Sequence, residues 1–230
     1  MKQAVLTFFA AALSVAVNAQ DPEKPSIKKI GESTFKVGQI EFDAKARSVS
    51  IPVEVNAPKQ DQPVEYALVQ EKGKIHESLL TTTASPTALE IAFRLLKYPK
   101  GHGEVFSKLL PAEDRKIKAE ETDETGAEVE IIVEWEEEGE KQSAALHTWI
   151  IDGKDGEVMD ESAWVYTGST IYNGTFMAES EGSIIAIYLD PAAMVNTSVE
   201  GAEIDERWGP NQEEIPEIGT KATLTIRPKN

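Results

Sequence analysis

Where apolar residues recur regularly in this chain, they mostly recur at every second position. Val49, Ile51, Val53 and Val55 alternate with Ser48, Ser50, Pro52 and Glu54, and Val129, Ile131, Val133 and Trp135 alternate with other residues, mostly acids. A period of two sends successive side chains to opposite faces of a pleated strand, so each segment reads as a strand with one buried face. Residues 40–42, 64–69, 164–167, 175–178, 183–189 and 222–226 read as further strands. Glu138-Gly139 reads as the turn of a hairpin whose second strand is expected over 144–151. Asp152-Gly153 and Asp155-Gly156 mark another turn. A helical pattern stands out only over 85–98. Ser85 can cap it and Pro86 suits the first helical position, with Leu89, Ala92, Phe93, Leu95 and Leu96 forming an apolar stripe. Pro99 and Gly101 end it. Strands and helices do not alternate, which argues against a doubly wound parallel sheet. The expected fold is mainly β (α+β): an antiparallel sandwich or curled sheet with one inserted helix near residues 86–97. Residues 100–127 are charged, lack a clear period and read as a mobile excursion, with a short helix over 109–116 as one option.

The first residues carry an address label. Lys2 precedes an apolar run from Ala4 to Val17, broken only by Thr7 and Ser14, and Val17-Asn18-Ala19 supplies small residues at a cleavage site. Residues 1–19 therefore read as a signal peptide cut before Gln20, and the chain as periplasmic or extracellular. The run falls short of the roughly 20 residues of a comfortable membrane helix; an uncleaved anchor is the alternative. Residues 20–34 read as a polar, proline-bearing leader and 35–228 as a single β-rich domain. No second apolar stretch is long enough to cross a bilayer, so no stable span is expected in the mature chain.

There is no cysteine. Disulfides, thiolate metal sites, iron–sulfur clusters and cysteine nucleophiles are thereby excluded, and an exported domain must hold itself together through its core. The net charge is −17, which disfavours nucleic acid and anionic lipid as partners. It favours solubility and cationic partners, without one dense acidic patch to mark a site.

The densest run of chemistry-bearing residues is Lys74-Ile75-His76-Glu77-Ser78, after a turn at Lys72-Gly73. On a strand, Lys74, His76 and Ser78 share one face while Glu77 points to the other. His76 with Ser78 suits a base and a nucleophile, and Glu77 a carboxylate partner. Equally, these groups can do no more than satisfy nearby backbone. His76-Glu77 begins a zinc-protease pattern, but Leu80 stands where its second histidine is required. The 152–157 turn fails as a calcium loop, with Lys154 at its third position. Tyr166-Thr167-Gly168-Ser169-Thr170 fails as a nucleophile elbow, since Ile171 replaces the closing glycine. No phosphate-binding loop, metal or cofactor is indicated. Trp135, Trp149 and Trp164 fall in strands and read as core. Trp208 lies in an acidic, strand-poor stretch and either pins that loop or stacks on a ligand. Asp190-Pro191 opens a short helix as one option, and Asn196 can line whatever surface that helix covers, so the ligand-binding candidates are Lys74, His76, Trp208 and Asn196.

Taken together, Pro63-Val64-Glu65-Tyr66, Gly73-Lys74-Ile75-His76-Glu77-Ser78, Trp164-Val165-Tyr166-Thr167-Gly168-Ser169 and Gly182-Ser183-Ile184-Ile185-Ala186 with Asp190-Pro191 resemble the YdjY-domain family of exported bacterial proteins. The likeness runs over about residues 35–228. It implies an envelope setting and one contiguous domain. The family has no assigned reaction, and the ferredoxin-like description of some relatives does not carry over to a chain without cysteine. Three readings follow: a non-catalytic binding or scaffold module with an envelope protein or ligand as partner, a hydrolase or transferase built on His76, Glu77 and Ser78, and a divalent-cation-dependent module.

Overall fold

The structure, a computed structural model, describes residues 26–58, 62–101, 103–107, 109, 126–161 and 164–229. The expected signal peptide, the first part of the expected leader, His102 and residues 110–116 of the optional helix lie outside the described residues.

Strands dominate, as the period-two segments require. β1 (Ile27–Lys29), β2 (Thr34–Val37), β3 (Ile40–Asp43) and β4 (Ser48–Val55) form an antiparallel meander. β5 (Tyr66–Gln70) and β6 (Ser78–Thr82) follow, then helices α1 (Pro86–Leu95) and α2 (Gly103–Ser107). Next come the hairpin of β7 (Glu128–Glu137) and β8 (Glu140–Ala145), β9 (Ile150–Asp152) and β10 (Trp164–Tyr166). A small hairpin of β11 (Ile171–Tyr172) and β12 (Thr175–Phe176) leads into α3 (Met177–Glu181). β13 (Ser183–Ala186), β14 (Val195–Thr197), β15 (Trp208–Pro210) and β16 (Lys221–Pro228) complete the chain.

The sheet closes on itself. Neighbours run β4, β16, β7, β10, β14, β13, β5, β6, and β6 returns to β4 through Glu54↔Thr81 and Val55↔Leu80. The expected sandwich or curled sheet is thus a closed eight-stranded barrel. Alternation in sequence fixes which face of a strand is buried but not which strand lies beside it, so closure was not readable; it removes the open edges a curled sheet would leave. The interior holds Ile51, Val53, Leu68, Leu80, Val133 and Leu224, all at most 4% exposed. Glu134, Lys221, Thr223 and Arg227 point outward and are exposed, the reverse of the apolar outer band of a membrane barrel. No helix among the described residues is long and apolar enough to cross a membrane.

Two strands serve two partners along one edge. β4 pairs with β3 through residues 48–50 and with β6 through 54–55. β7 pairs with β10 at Glu128 and Val129 and with β8 from Ile132 onward. The β1–β3 meander and β8 therefore leave the barrel as flaps.

Several boundaries differ from expectation. Ile27–Lys29, assigned to the leader, pairs with β2 as a strand. The partner of β7 is β8 and not 144–151: Glu138 and Gly139 both take positive φ, 52° and 83°, so a two-residue turn launches the return strand at once. Leu146–Trp149 is then a 3-10 turn, and β9 joins β15 instead. The strand expected over 175–178 is two residues long before α3 begins.

α1 starts as the sequence indicated, with Ser85 Oγ accepting from Ala88 N at 3.3 Å. A tertiary cap reinforces it: the Glu179 carboxylate of α3 accepts from Thr87 N at 2.8 Å and Ser85 Oγ at 2.7 Å. α1 packs on β2, β3 and β4, and its Phe93 stacks on Tyr166 of β10 at 4.3 Å.

Two of the barrel's strand pairs, β5–β6 and β13–β14, are parallel. Parallel neighbours normally need a long crossover; here short straps, 71–77 and 187–194, carry the chain back. Gly73 lets the first strap pass, since a Cβ there would sit 3.0 Å from Glu181 O and 3.2 Å from Gly182 O.

Candidate functional site

The 74–78 cluster lies on the first strap. Because 71–77 must bring the chain back beside the start of β5, Ile75–Glu77 folds as a 3-10 turn and not as a strand. Glu65 N donates to Glu77 O at 3.0 Å, marking the end of the return. Asn56 Nδ2 donates to the carbonyls of Ile75 and Ser78 at 2.5 and 2.8 Å and holds the strap down.

This local fold separates the proposed base and nucleophile. The His76 side chain is 77% exposed, with Nε2 3.8 Å from the Glu77 carboxylate, beyond hydrogen-bond length. Ser78, the first residue of β6, is fully buried and its Oγ donates to Leu80 O at 2.7 Å. Lys74, His76 and Ser78 therefore do not share a face.

Lys74 does meet other polar groups, which no motif in the chain joins to it. Its Nζ donates to Tyr66 Oη at 3.0 Å, and Tyr66 Oη donates to Asp190 Oδ2 at 2.9 Å. Asp190 sits on the second strap, where Asp190 N donates to Asn196 Oδ1 at 2.8 Å. Asn196, fully buried in β14, donates through Nδ2 to Asp190 O at 3.0 Å and to Thr167 Oγ1 at 2.9 Å. One polar chain thus runs Lys74, Tyr66, Asp190, Asn196, Thr167 and staples the two straps together. Glu65 and Glu77 stand 4.0 and 3.7 Å from Lys74 Nζ.

Protonation in this chain follows from burial and charge. Burial first, then the Asp190 carboxylate, push the Tyr66 phenol up to about 12, so it stays protonated at neutral pH and cannot serve as a phenolate base. Partial burial works against charge on Lys74, but the hydrogen bond with Tyr66 and the neighbouring carboxylates outweigh it and hold the ammonium above its ordinary value. A Lys74 so fixed is a cation and not an amine nucleophile. Burial, then the charge of Glu77 and a hydrogen bond with Asp205, raise Glu65. The arrangement can hold charges and straps in place; it presents no nucleophile aligned with a base.

The remaining candidates are also accounted for. Trp208 is 6% exposed, its carbonyl accepts from Val64 N at 2.8 Å, and the Arg207 guanidinium lies 5.0 Å over its ring. Arg207 in turn pairs with Asp152 at 2.6 Å, so Trp208 fastens the 199–210 stretch to β9. Among the described residues no group of three or more His, Asp or Glu side chains is placed to hold a metal ion.

The family model for the YdjY domain matches residues 40–227. The chain belongs to the YdjY domain family. Its segments meet in space: Tyr66, Lys74 and Asp190, drawn from three of the strings that carry the resemblance, form the core of the polar chain. A search of the curated proteins and of the solved structures returned no match.

Proposed function

We propose that this YdjY-domain protein is exported to the bacterial envelope and works there as a binding or scaffold module, without a reaction of its own. The observation that carries the reading is the separation of His76 from Ser78. One side chain stands in solvent and the other is locked onto Leu80 O, so the hydrolase or transferase reading lacks its nucleophile–base contact. Lys74 of the same run, with Tyr66, Asp190 and Asn196, is engaged in joining the barrel's return straps. A closed barrel whose return straps are joined by a connected polar chain is a suitable platform for a partner or ligand held on its surface.

The test is to isolate the protein from its own envelope without denaturation, after photo-cross-linking, and to weigh it intact by native mass spectrometry. The reading expects either a cross-linked partner or a small-molecule mass that is lost on unfolding. Bare polypeptide in every preparation overturns it.

A further inference from the structure

The point where β7 changes partner creates a cavity. On that edge Val129 pairs with Trp164 of β10 and Ile132 with Ala145 of β8, so Glu130 and Ile131 between them are paired only on their other edge, with Arg227 and Ile226 of β16. A cavity of about 260 Å³ opens there. It lies just below the roughly 300–1,000 Å³ typical of drug-sized ligands, so whatever fits is small.

Its lining has both signs of charge. Ile131, Ala145 and Trp164 give apolar surface, while Glu130, His147, Glu161 and Lys229 give polar groups. Glu130 is held across the strand pair by Arg227, whose Nε donates to it at 2.7 Å. Glu161, from the loop entering β10, and Lys229, just past β16, are the groups of opposite charge available to a guest. His147 is half-buried on the 3-10 turn. Burial draws it below its ordinary value with help from Lys229, against Glu161 and Asp160, which act the other way. The imidazole is therefore neutral at neutral pH and offers one donor and one acceptor. A simple anion meets two carboxylates and a chain of net charge −17, and a simple cation leaves Lys229 unmatched. A guest carrying both charges matches both.

We propose that this cavity is the ligand site of the module and takes a small zwitterion, a neutral amino acid whose ammonium pairs with Glu161 and whose carboxylate pairs with Lys229, with a short side chain against Ile131, Ala145 and Trp164. The assignment rests on the binding-module reading and names its ligand class.

The experiment uses the mature chain with isotope-labelled histidine, the His147 ring signal being identified by His147→Gln. L-alanine, L-valine and L-serine are titrated, with ethylamine and propionate as single-charge controls. The proposal expects a saturable shift of the His147 signal with at least one amino acid while that of His76 stays still. It expects each control, and each of Glu161→Gln and Lys229→Met with the amino acid, to bind roughly tenfold more weakly or worse, the loss of one charged hydrogen bond. Both variants should keep the wild-type urea midpoint, which separates lost contacts from lost folding. No His147 shift with any amino acid overturns the proposal, as does equal binding of either control. If that happens while native mass spectrometry still finds a bound partner or ligand, the binding reading stands and this cavity loses its assignment.

Discussion

Asn196 is the residue whose removal should be felt most widely. Its side chain is fully buried and makes three bonds: it accepts from Asp190 N at 2.8 Å and donates to Thr167 Oγ1 at 2.9 Å and Asp190 O at 3.0 Å. In Asn196→Ala each lost bond is worth about 1 kcal/mol net, and the Asp190 N–H left without its acceptor adds about 1 kcal/mol or more. Thr167 suffers least, because its hydroxyl also has the carbonyls of Ala193 and Met194 at 3.3 and 3.2 Å. The expected loss is about 3–4 kcal/mol, which for a chain of this size lowers the melting temperature by roughly 6–16 °C. Urea unfolding followed by tryptophan fluorescence, checked by a thermal scan, measures it. Asn196→Asp should be worse at neutral pH, since it removes both donors and places a charge beside Asp190 O. A loss under about 1 kcal/mol for the alanine variant would refute the view that this side chain ties the straps together.

His76→Ala should change stability by no more than about 0.5 kcal/mol, as expected for an exposed side chain without a hydrogen bond, again by urea unfolding. Gly126→Ala should cost about 1–3 kcal/mol or more by overpacking, because its Cβ would sit 2.6 Å from Val165 Cγ1 and 2.7 Å from Gly101 N and Tyr166 O; an unchanged urea midpoint would contradict that packing. Glu65→Gln should stabilise the protein at neutral pH. Glu65 is raised in the fold, so its contribution is present while it is protonated, below its ordinary value of 4.5, and is lost as pH rises through the raised value. The advantage of the glutamine should therefore vanish in acid, and a pH-independent difference would count against this assignment. Millimolar calcium or a chelator should leave the melting temperature unchanged; a rise with calcium would favour the cation-dependent reading.

The parts of the fold that local pattern specifies were legible. Val49, Ile51, Val53 and Val55 marked β4 to the residue, and Ser85, Pro86 and the stripe from Leu89 to Leu96 marked α1. Pairing was not legible, because alternation is silent about neighbours. β4 and β7 each split one edge between two partners; Pro52, with no N–H to donate, stands at the change in β4, whereas nothing in 128–137 signals it. The 74–78 run shows the same limit from the other side. Lys74, His76 and Ser78 alternate as a strand would, yet the parallel pairing of β5 with β6 forces 71–77 to return along the barrel, and the 3-10 turn throws His76 outward. Tyr66 and Asp190 lie 124 residues apart and meet only because β13 lies between β5 and β14. Likewise His147, Glu161 and Lys229 come together at a gap that exists only once the barrel has closed.

The most direct test of the central claim, that this barrel binds and does not react, is turnover. The folded mature chain and its His76→Ala and Ser78→Ala variants are compared on p-nitrophenyl esters and phosphate esters, with folding confirmed by urea midpoint. The account predicts that all three match the uncatalysed background. A wild-type rate above background that disappears in either folded variant would contradict it and restore the 76–78 cluster as a reaction centre.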